Sequence, residues 1–285
     1  MATKYNFTES ELHELGITAD PGFISWLNQC SFDFPADIAY LTVLMFDDST
    51  SMADYRDTVR TFMRILVEEK YSERASMMIS LSFFSGADNI YVAPVESIDG
   101  VTKKIDSVTK KYTANGGRTA FYDAVQVACK YMLNYIRVLQ AKFNLEVKGL
   151  FMALSDGDDN ESKPGSAYSV PAEIRKLHRE GVDTVFVPFG NAISASLGSR
   201  LGFQQTTQVD KNHQALLECS RAMSRRMDEG SKQLGSGSLG ANPASAMFSE
   251  ALKSHAAGIG ASGAIAQNPG AFPSGRRRFR RGGKI

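Results

Sequence analysis

Residues Ile38–Asp47 read Ile-Ala-Tyr-Leu-Thr-Val-Leu-Met-Phe-Asp, and this stretch decides the fold. Its apolar residues are continuous rather than alternating with polar ones, which is typical of a central strand that is covered on both faces. A second continuous apolar run, Val147–Leu154, predicts another buried strand. Buried parallel strands need crossover connections, so helices are expected on both faces of the sheet.

The segments around these two strands alternate between strand and helix patterns. Further strands are predicted at Met77–Phe84, Ile90–Val95, 183–189 and Gln205–Val209. Helices are predicted at 55–70, 97–110, from Thr119 onward, at 171–180, 192–200 and 211–228. This alternation predicts an α/β fold, namely a three-layer, doubly wound (Rossmann-like) and mostly parallel sheet with a flexible C-terminal tail. In such sheets ligands bind beyond the carboxyl ends of the strands, where the strand order reverses.

Composition divides the chain into a leader, a domain, a linker and a basic tail, predicted at 1–38, 39–228, 229–275 and 276–285. The leader carries two short helical patterns, Glu9–Leu15 and Gly22–Asn28, and Trp26 is expected to pack it onto the domain. The linker is rich in Gly, Ser and Ala, which is typical of flexible segments. Within it, residues 243–257 follow an Asn cap and end before a Gly, which predicts a short helix.

The chain has 285 residues, of which 43% are hydrophobic and 22% charged, so an ordinary globular domain is expected. No run of about 20 apolar residues occurs, and no transmembrane helix is therefore expected. The first residues are polar and acidic and predict no secretory signal. Cys30, Cys129 and Cys219 are scattered and odd in number, which argues against a disulfide framework or a zinc site. A reducing compartment, the cytoplasm, is the predicted location.

Oxygen-bearing side chains follow both buried strands and precede a long helix. Asp47, Ser49 and Ser51 occupy alternate positions just beyond the first strand, and Asp156 ends the second. Thr119 opens the helix directly after two glycines that let the backbone fold closely back. All of these side chains offer hard oxygen donors, which Mg²⁺ and Mn²⁺ prefer. The sequence therefore predicts a site for Mg²⁺ or Mn²⁺ at the carboxyl edge of the sheet.

Three segments in order resemble the metal-ion-dependent adhesion site of the von Willebrand factor A (vWA) domain family. They are Asp47-x-Ser49-x-Ser51, Gly116-Gly117-Arg-Thr119-Ala-x-x-Asp123-Ala124 and Ser155-Asp156-Gly157-x-x-Asn160, and the resemblance spans residues 39–228. It implies that the metal shell consists of Asp47, Ser49, Ser51, Thr119 and Asp156, some of them acting through water. It also implies a metal-dependent protein–protein interaction module, not an enzyme, whose ion takes an Asp or Glu carboxylate from a partner protein.

Further charged residues surround these segments and leave the nature of the ligand open. Asp48, Asp158 and Asp159 add negative charge near the predicted ion, whereas Arg118 adds one cation. The acids would either weaken the attraction for an acidic partner or strengthen metal binding. We interpret Asp158 and Asp159 as solvated loop charges, and Asp123 as a residue that caps or pairs within its own helix.

Catalytic and calcium-binding alternatives are less favoured. Residues 156–160 resemble a calcium loop, but Glu161 stands where an EF-hand requires Gly. An aspartate-nucleophile phosphotransferase would need a second Asp at position 49, and no GxxxxGK[ST] phosphate loop occurs. The four histidines, His13, His178, His213 and His255, lie far along the chain from Ser49 and Ser51. A metal-dependent phosphohydrolase is therefore the least favoured hypothesis.

The C-terminus is strongly basic, although the whole chain has a net charge of only +1. The last ten residues contain six of the 32 basic groups and no acid, which leaves 26 basic and 31 acidic groups in residues 1–275. The cluster consists of Arg276, Arg277, Arg278, Phe279, Arg280 and Arg281, followed by Lys284. It predicts contact with DNA, RNA or another polyanion, with the aromatic ring stacking on a base. An acidic protein, an anionic membrane surface and a disordered solubilising end are the other interpretations.

If the tail binds nucleic acid, removing residues 276–285 should abolish the shift of a single-stranded oligonucleotide in a native gel. For the intact chain the affinity should fall steeply as salt rises, because neutralising phosphates releases counterions. Replacing the five arginines by lysine keeps the charge and should preserve most of the binding, whereas Phe279→Ala should weaken it through lost stacking. A shift that is unchanged by the truncation would exclude the alternative hypothesis, that the chain is a structural or assembly protein that contacts nucleic acid through its C-terminus.

Overall fold

A seven-stranded sheet organises the computed structural model, which describes residues 5–32, 34, 38–68, 77–157, 159–190 and 192–235. The strands of the described ranges are β1 Ile38–Asp47, β2 Met77–Phe84, β3 Ile90–Tyr91, β4 Glu96–Ser97, β5 Glu146–Ser155, β6 Val182–Pro188 and β7 Gln205–Thr206. Their order is β3-β2-β1-β5-β6-β7, and β4 also pairs with β2. All pairings are parallel except those of β3 and β4 with β2.

Helices cover both faces of this sheet. They are α1 Glu9–Glu14, α2 Pro21–Leu27, α3 Arg56–Glu68, α4 Ile98–Lys103, α5 Ile105–Lys111, α6 Phe121–Phe143, α7 Ser166–Arg179, α8 Ala192–Leu201 and α9 His213–Gly235, with a 3₁₀ helix at Thr50–Tyr55. One core contains side chains of α1, α2, α6, α7 and α8, and the other contains those of α3, α4, α5 and α9. The prediction of a three-layer, Rossmann-like and mostly parallel α/β fold is thus confirmed.

The surroundings of strand β1 explain why its sequence is apolar at almost every position. Leu41 and Val43 point into the core beneath α6, while Leu44 and Phe46 point into the core beneath α3 and α9. Successive side chains of a strand alternate between the two faces, and in β1 both faces are buried. The residues from Ala39 to Asp47 are all buried as a result.

The strand order reverses between β1 and β5. From β1 the chain first builds outward through β2, and it then returns to the other side of β1 to add β5, β6 and β7. Phe46 pairs with Leu154, so Asp47 and Ser155 end neighbouring strands at the same edge. Crevices at such reversals are the usual ligand sites of doubly wound sheets.

The N-terminal leader packs against α6 through aromatic side chains. Trp26 contacts the rings of Tyr131 and Tyr135 at centroid distances of 5.1 and 5.8 Å, and its indole N–H donates to the Ala93 carbonyl at 3.0 Å. Phe32 stacks on Phe143 at 5.2 Å. Trp26 therefore joins the leader to the domain as the sequence predicted.

Helix α7 begins earlier than predicted and contains Pro171 instead of starting with it. Its start is set by Gly165, whose φ of 99° reverses the chain, and by the Ser166 hydroxyl, which donates to the Asp123 carboxylate. Proline has no N–H and cannot donate to the carbonyl four residues earlier, here that of Ala167. The tertiary contact at the start of the helix thus outweighs the local preference of proline for a first turn.

Helix α9 continues to Gly235, so the prediction that the linker begins at 229 is wrong for residues 229–235. The physical reason that Gly230 lies inside the helix is its packing against the sheet, because a Cβ on this residue would lie 2.5 Å from the Tyr40 ring. Glycine here lets the helix approach the sheet closely, and its presence does not mark the start of a linker. The predicted helix at 243–257 and the basic tail at 276–285 lie outside the described residues.

Three other predicted elements are shorter or divided, and one of them is the strand predicted at Gln205–Val209, which is reduced to β7. The strand predicted at Ile90–Val95 is reduced to β3, because Ala93 bonds to the side chains of Ser80 and Ser82 instead of to a neighbouring strand. The helix predicted at 97–110 is divided into α4 and α5 at Lys104, whose φ of −121° is not helical. Across the described ranges, no helix combines the length and the apolar character that crossing a membrane requires.

Replacing Trp26 by Ala should lower the free energy of unfolding by about 3–5 kcal/mol, because a large buried side chain is lost and a cavity remains. Chemical denaturation of the full chain measures the difference. Tyr168→Ala is the matched control, since Tyr168 is 90% exposed and its loss should change stability by less than about 0.5 kcal/mol. Equal effects of the two substitutions would contradict the packing role of Trp26.

Candidate metal centre

The loop after β1 folds its polar side chains toward one point. The Asp47 carboxylate accepts a hydrogen bond from the Ser49 amide at 2.9 Å, and the Ser49 and Ser51 hydroxyls lie 3.0 Å apart. Asp47 and Ser49 are buried, whereas Ser51 is exposed. Ser51 lies in the 3₁₀ turn that begins at Thr50, and the Met52 amide of this turn donates to the Ser49 carbonyl at 3.1 Å.

Asp156 joins this loop from the neighbouring strand. The Ser51 hydroxyl donates to Asp156 Oδ1 at 2.6 Å across 105 residues of sequence. At the same edge the Ser155 hydroxyl donates to Asp47 Oδ2 at 2.5 Å. Two carboxylates and the hydroxyls between them thus form one hydrogen-bonded group at the reversal of strand order.

Thr119 is placed on the same edge by a glycine loop and by Asn160. Its amide donates to the Asn160 side-chain carbonyl, and the Asn160 amide donates to its carbonyl, both at 2.9 Å. The Thr119 hydroxyl oxygen would lie 3.6 Å from a Cβ built on Gly157, so it faces the turn that carries Asp156. Gly116 allows this loop to approach β2, since a Cβ there would lie 2.2 Å from the Ser85 side chain.

Burial changes the acidity of Asp47. The pKa of Asp47 is raised to about 6; removal from water is the largest cause, and the nearby Asp156 charge acts in the same direction. Hydrogen bonds from Ser155 and Ser49 act in the opposite direction, because they favour the charged form. A buried carboxylate at this edge therefore carries an electrostatic cost that a bound cation would relieve.

Two of the surrounding acids hold loops and are not solvated charges. The Asp48 carboxylate accepts hydrogen bonds from the amides of Thr113 and Ala114, and burial raises its pKa. Asp159 accepts from the Ser162 hydroxyl at 2.6 Å and is half-buried, so its interpretation as a solvated charge is wrong. Asp158 lies outside the described residues.

Asp123 also has a structural role, though a different one from that predicted. It is buried, and its carboxylate accepts from the Lys163 amide at 3.1 Å and from the Ser166 hydroxyl. Its own amide donates to the Ser162 hydroxyl at 3.0 Å. The prediction of a partner within its own helix is therefore wrong, because Asp123 binds the start of α7.

Lys211 is a site residue that the sequence analysis did not identify. Its ammonium lies 2.7 Å from Asp156 Oδ2, on the loop between β7 and α9. The Tyr55 hydroxyl donates to the Lys211 carbonyl at 2.9 Å and fixes that loop beside the 3₁₀ turn. No spacing pattern indicates this lysine, since 55 residues separate it from Asp156. Only the position of its loop at the same sheet edge could have suggested it.

The donor set at this edge fits a hard divalent cation. The described residues contain no group of three or more His, Cys, Asp and Glu side chains that could hold a metal ion. A centre here would instead combine two carboxylates with hydroxyl groups, a ligand type that Mg²⁺ and Mn²⁺ accept. His178 and His213 bond elsewhere, to Thr184 and Thr58 respectively.

Comparison with known proteins shows a shared fold and no closer relationship. No family model and no curated protein matches the chain. The crystal structure of the pilus adhesin SpaC from Lactobacillus rhamnosus GG, in its open conformation, is similar with a TM-score of 0.52 and 11% sequence identity, over 67% of this chain and 30% of the adhesin. Proximal thread matrix protein 1 from the mussel byssus has a TM-score of 0.46 and 20% identity, over 68% of this chain and 47% of that protein. The chain thus spans less than half of each of these structures.

The raised pKa of Asp47 predicts a pH-dependent stability in the presence of EDTA. A carboxyl whose pKa is higher in the folded than in the unfolded protein stabilises the fold below about pH 4, and this contribution is lost as the pH rises through about 6. The stability of the wild type relative to Asp47→Asn should therefore increase by up to about 3 kcal/mol between pH 7.5 and pH 4. Urea unfolding at several pH values measures this difference, and a difference independent of pH would contradict it.

Proposed function

We propose that the chain is a vWA-like, metal-dependent protein-interaction module with a site for Mg²⁺ or Mn²⁺. The observation that supports this most directly is the hydrogen-bonded group formed by Asp47, Ser49, Ser51 and Asp156 at the reversal of strand order. These residues belong to two of the three segments that carry the resemblance to the adhesion site, and 105 positions separate Ser51 from Asp156. Thr119 belongs to the third segment and faces the turn after Asp156.

Each residue of the proposed shell has a defined task. Asp47 and Asp156 would supply the two negative charges, while Ser49, Ser51 and Thr119 would supply neutral oxygens, directly or through water. When bound, the ion would provide a positive centre for an Asp or Glu carboxylate of the partner protein. Ser51 is the exposed member of the group, so the open side of the site is the side on which Ser51 lies.

Exposed cations lie next to two of the three donor segments along the chain. Arg118, directly before Thr119, and Lys163, beside the start of α7, are both exposed. Asp48 and Asp159 are engaged with loop atoms, and their charges are therefore partly compensated by hydrogen bonds. The exposed positive groups would steer a carboxylate toward the site.

A binding role is favoured over a catalytic one because of the hydroxyl partners. The Ser49 and Ser51 hydroxyls bond to each other and to Asp156, and in the described ranges neither is hydrogen-bonded to a histidine. A general base within hydrogen-bond reach is what activates a serine nucleophile. We therefore propose that the protein is not an enzyme. A phosphoester assay with Mg²⁺ or Mn²⁺ tests the remaining alternative, a phosphohydrolase.

The cytoplasm remains our proposed location. Cys30, Cys129 and Cys219 are free and buried. Burial raises the pKa of Cys129 well above its ordinary value and that of Cys219 to about 12, so these thiols stay protonated. Free thiols of this kind are typical of proteins in reducing compartments.

Metal binding should depend on the two carboxylates of the site. Asp47→Asn and Asp156→Asn should each weaken Mg²⁺ binding at least about a hundredfold. Loss of a residue that only hydrogen-bonds to a metal ligand already lowers metal affinity by up to about a hundredfold, and loss of a ligand should cost at least as much. Binding should also weaken as the pH falls through about 6, since protonated Asp47 is a poor ligand. Isothermal titration calorimetry measures both effects. The control is Asp54→Asn, which removes an exposed carboxylate of the 3₁₀ turn and should bind Mg²⁺ as the wild type does.

Partner binding should require the ion and should benefit from the exposed cations. In affinity capture from a lysate, the full-length wild type should bind a set of proteins in the presence of Mg²⁺. The same proteins should be missing when EDTA is added and when Asp47→Ala replaces the wild type. Arg118→Ala should weaken capture without lowering the affinity for Mg²⁺, because Arg118 would act on the partner and not on the ion. Recovery of identical partners from EDTA-treated lysate and with Asp47→Ala would refute the proposal.

A further inference from the structure

The Asp156 carboxylate is shared between a hydroxyl and an ammonium group. Ser51 donates to Oδ1 at 2.6 Å, and the Lys211 ammonium lies 2.7 Å from Oδ2. The Asp156 side chain is 1% exposed, whereas that of Lys211 is 44% exposed. A buried carboxylate thus has a counter-charge that belongs to the same chain and reaches it from solvent.

The backbone of Lys211 is held in place, but the end of its side chain is not enclosed. Its carbonyl accepts from Tyr55, and the neighbouring Val209 carbonyl accepts from the Gly190 amide at 2.8 Å. The first carbons of the side chain pass over Gly190, where a Cβ would lie 2.6 Å from Lys211 Cβ. The flexible outer stem can therefore rotate toward water while the loop stays docked.

We infer that Lys211 is a tethered cation that competes with the metal ion for Asp156. This inference rests on the proposed metal site. An ammonium group 2.7 Å from the carboxylate that binds a divalent ion would place a third positive charge beside the ion, and the repulsion between them is strong at such short range. The ion and the ammonium therefore compete for this carboxylate. Lys211 neutralises Asp156 until an ion enters and then turns to the surface.

Such a competitor lowers the affinity of the site for the ion. The binding free energy includes the loss of the Lys211–Asp156 contact, so a higher ion concentration is needed than for the same oxygen shell alone. The rotated ammonium would then be exposed, as Arg118 and Lys163 are. Metal binding would in this way add positive charge to the surface that receives an acidic partner.

Mn²⁺ titration of the full-length protein tests the competition. Lys211→Met keeps the length of the stem and removes the charge, and it should bind Mn²⁺ at least about fivefold more tightly than the wild type. Lys211→Arg keeps the charge and should bind as the wild type does. Lys163→Met is the matched control for loss of an exposed lysine, and its affinity for Mn²⁺ should stay within about twofold of the wild type.

The possible outcomes separate this inference from the proposed function. Mn²⁺ binding of equal affinity by the wild type and Lys211→Met would overturn the competition and leave the metal site intact. If Lys211→Met binds Mn²⁺ and the wild type does not, the result would support the inference that Lys211 competes with the ion for Asp156. If the wild type and all three lysine variants fail to bind, both the inference and the proposed function fall.

A second measurement follows Lys211 itself and needs no substitution. Mg²⁺ should increase the rate at which an amine-reactive ester labels Lys211, measured by mass spectrometry, because the ammonium leaves the carboxylate. Lys163 provides the internal reference, and its labelling should not change. A Lys211 labelling rate that is the same with saturating Mg²⁺ and with EDTA would overturn the inference.

Discussion

The pairing of β1 with β5 is the constraint on which the rest of the site depends. It places Asp47 and Asp156 at the ends of neighbouring strands, where the order of the sheet reverses. Two carboxylates so close and so little exposed are costly unless polar groups or a cation compensate them. The hydroxyls of Ser155 and Ser51 supply part of this compensation, and the loops around the edge are arranged to bring them there.

The remaining acids at this edge show that residue type alone does not define a metal ligand. Asp48 holds the loop at Thr113, Asp123 holds the start of α7, and Asp159 binds Ser162. Each carboxylate is turned toward backbone or hydroxyl donors of a neighbouring loop. Among the described residues, these three carboxylates thus fix the loops that carry the oxygen donors.

The fold was predictable where one signal dominated. Both faces of β1 and β2 are buried, and their largely apolar sequences predict the observed bounds, Ile38–Asp47 and Met77–Phe84. The failures occur where contacts between distant segments override local preference. Gly230 lies inside α9 because the helix packs on Tyr40, and the stretch after β3 leaves the sheet because the Ser80 and Ser82 side chains bind its backbone.

By itself the sequence determined the fold class, the three donor segments and their order, because strand and helix periodicity and the residues at strand ends are local properties. Only the tertiary structure decided which carboxylates meet and which turn away. It joined Ser51 to Asp156 across 105 residues and brought Lys211 to the same carboxylate from a loop 55 residues further on. These contacts depend on how the loops pack above the sheet and on the direction of each side chain, and spacing along the chain encodes neither.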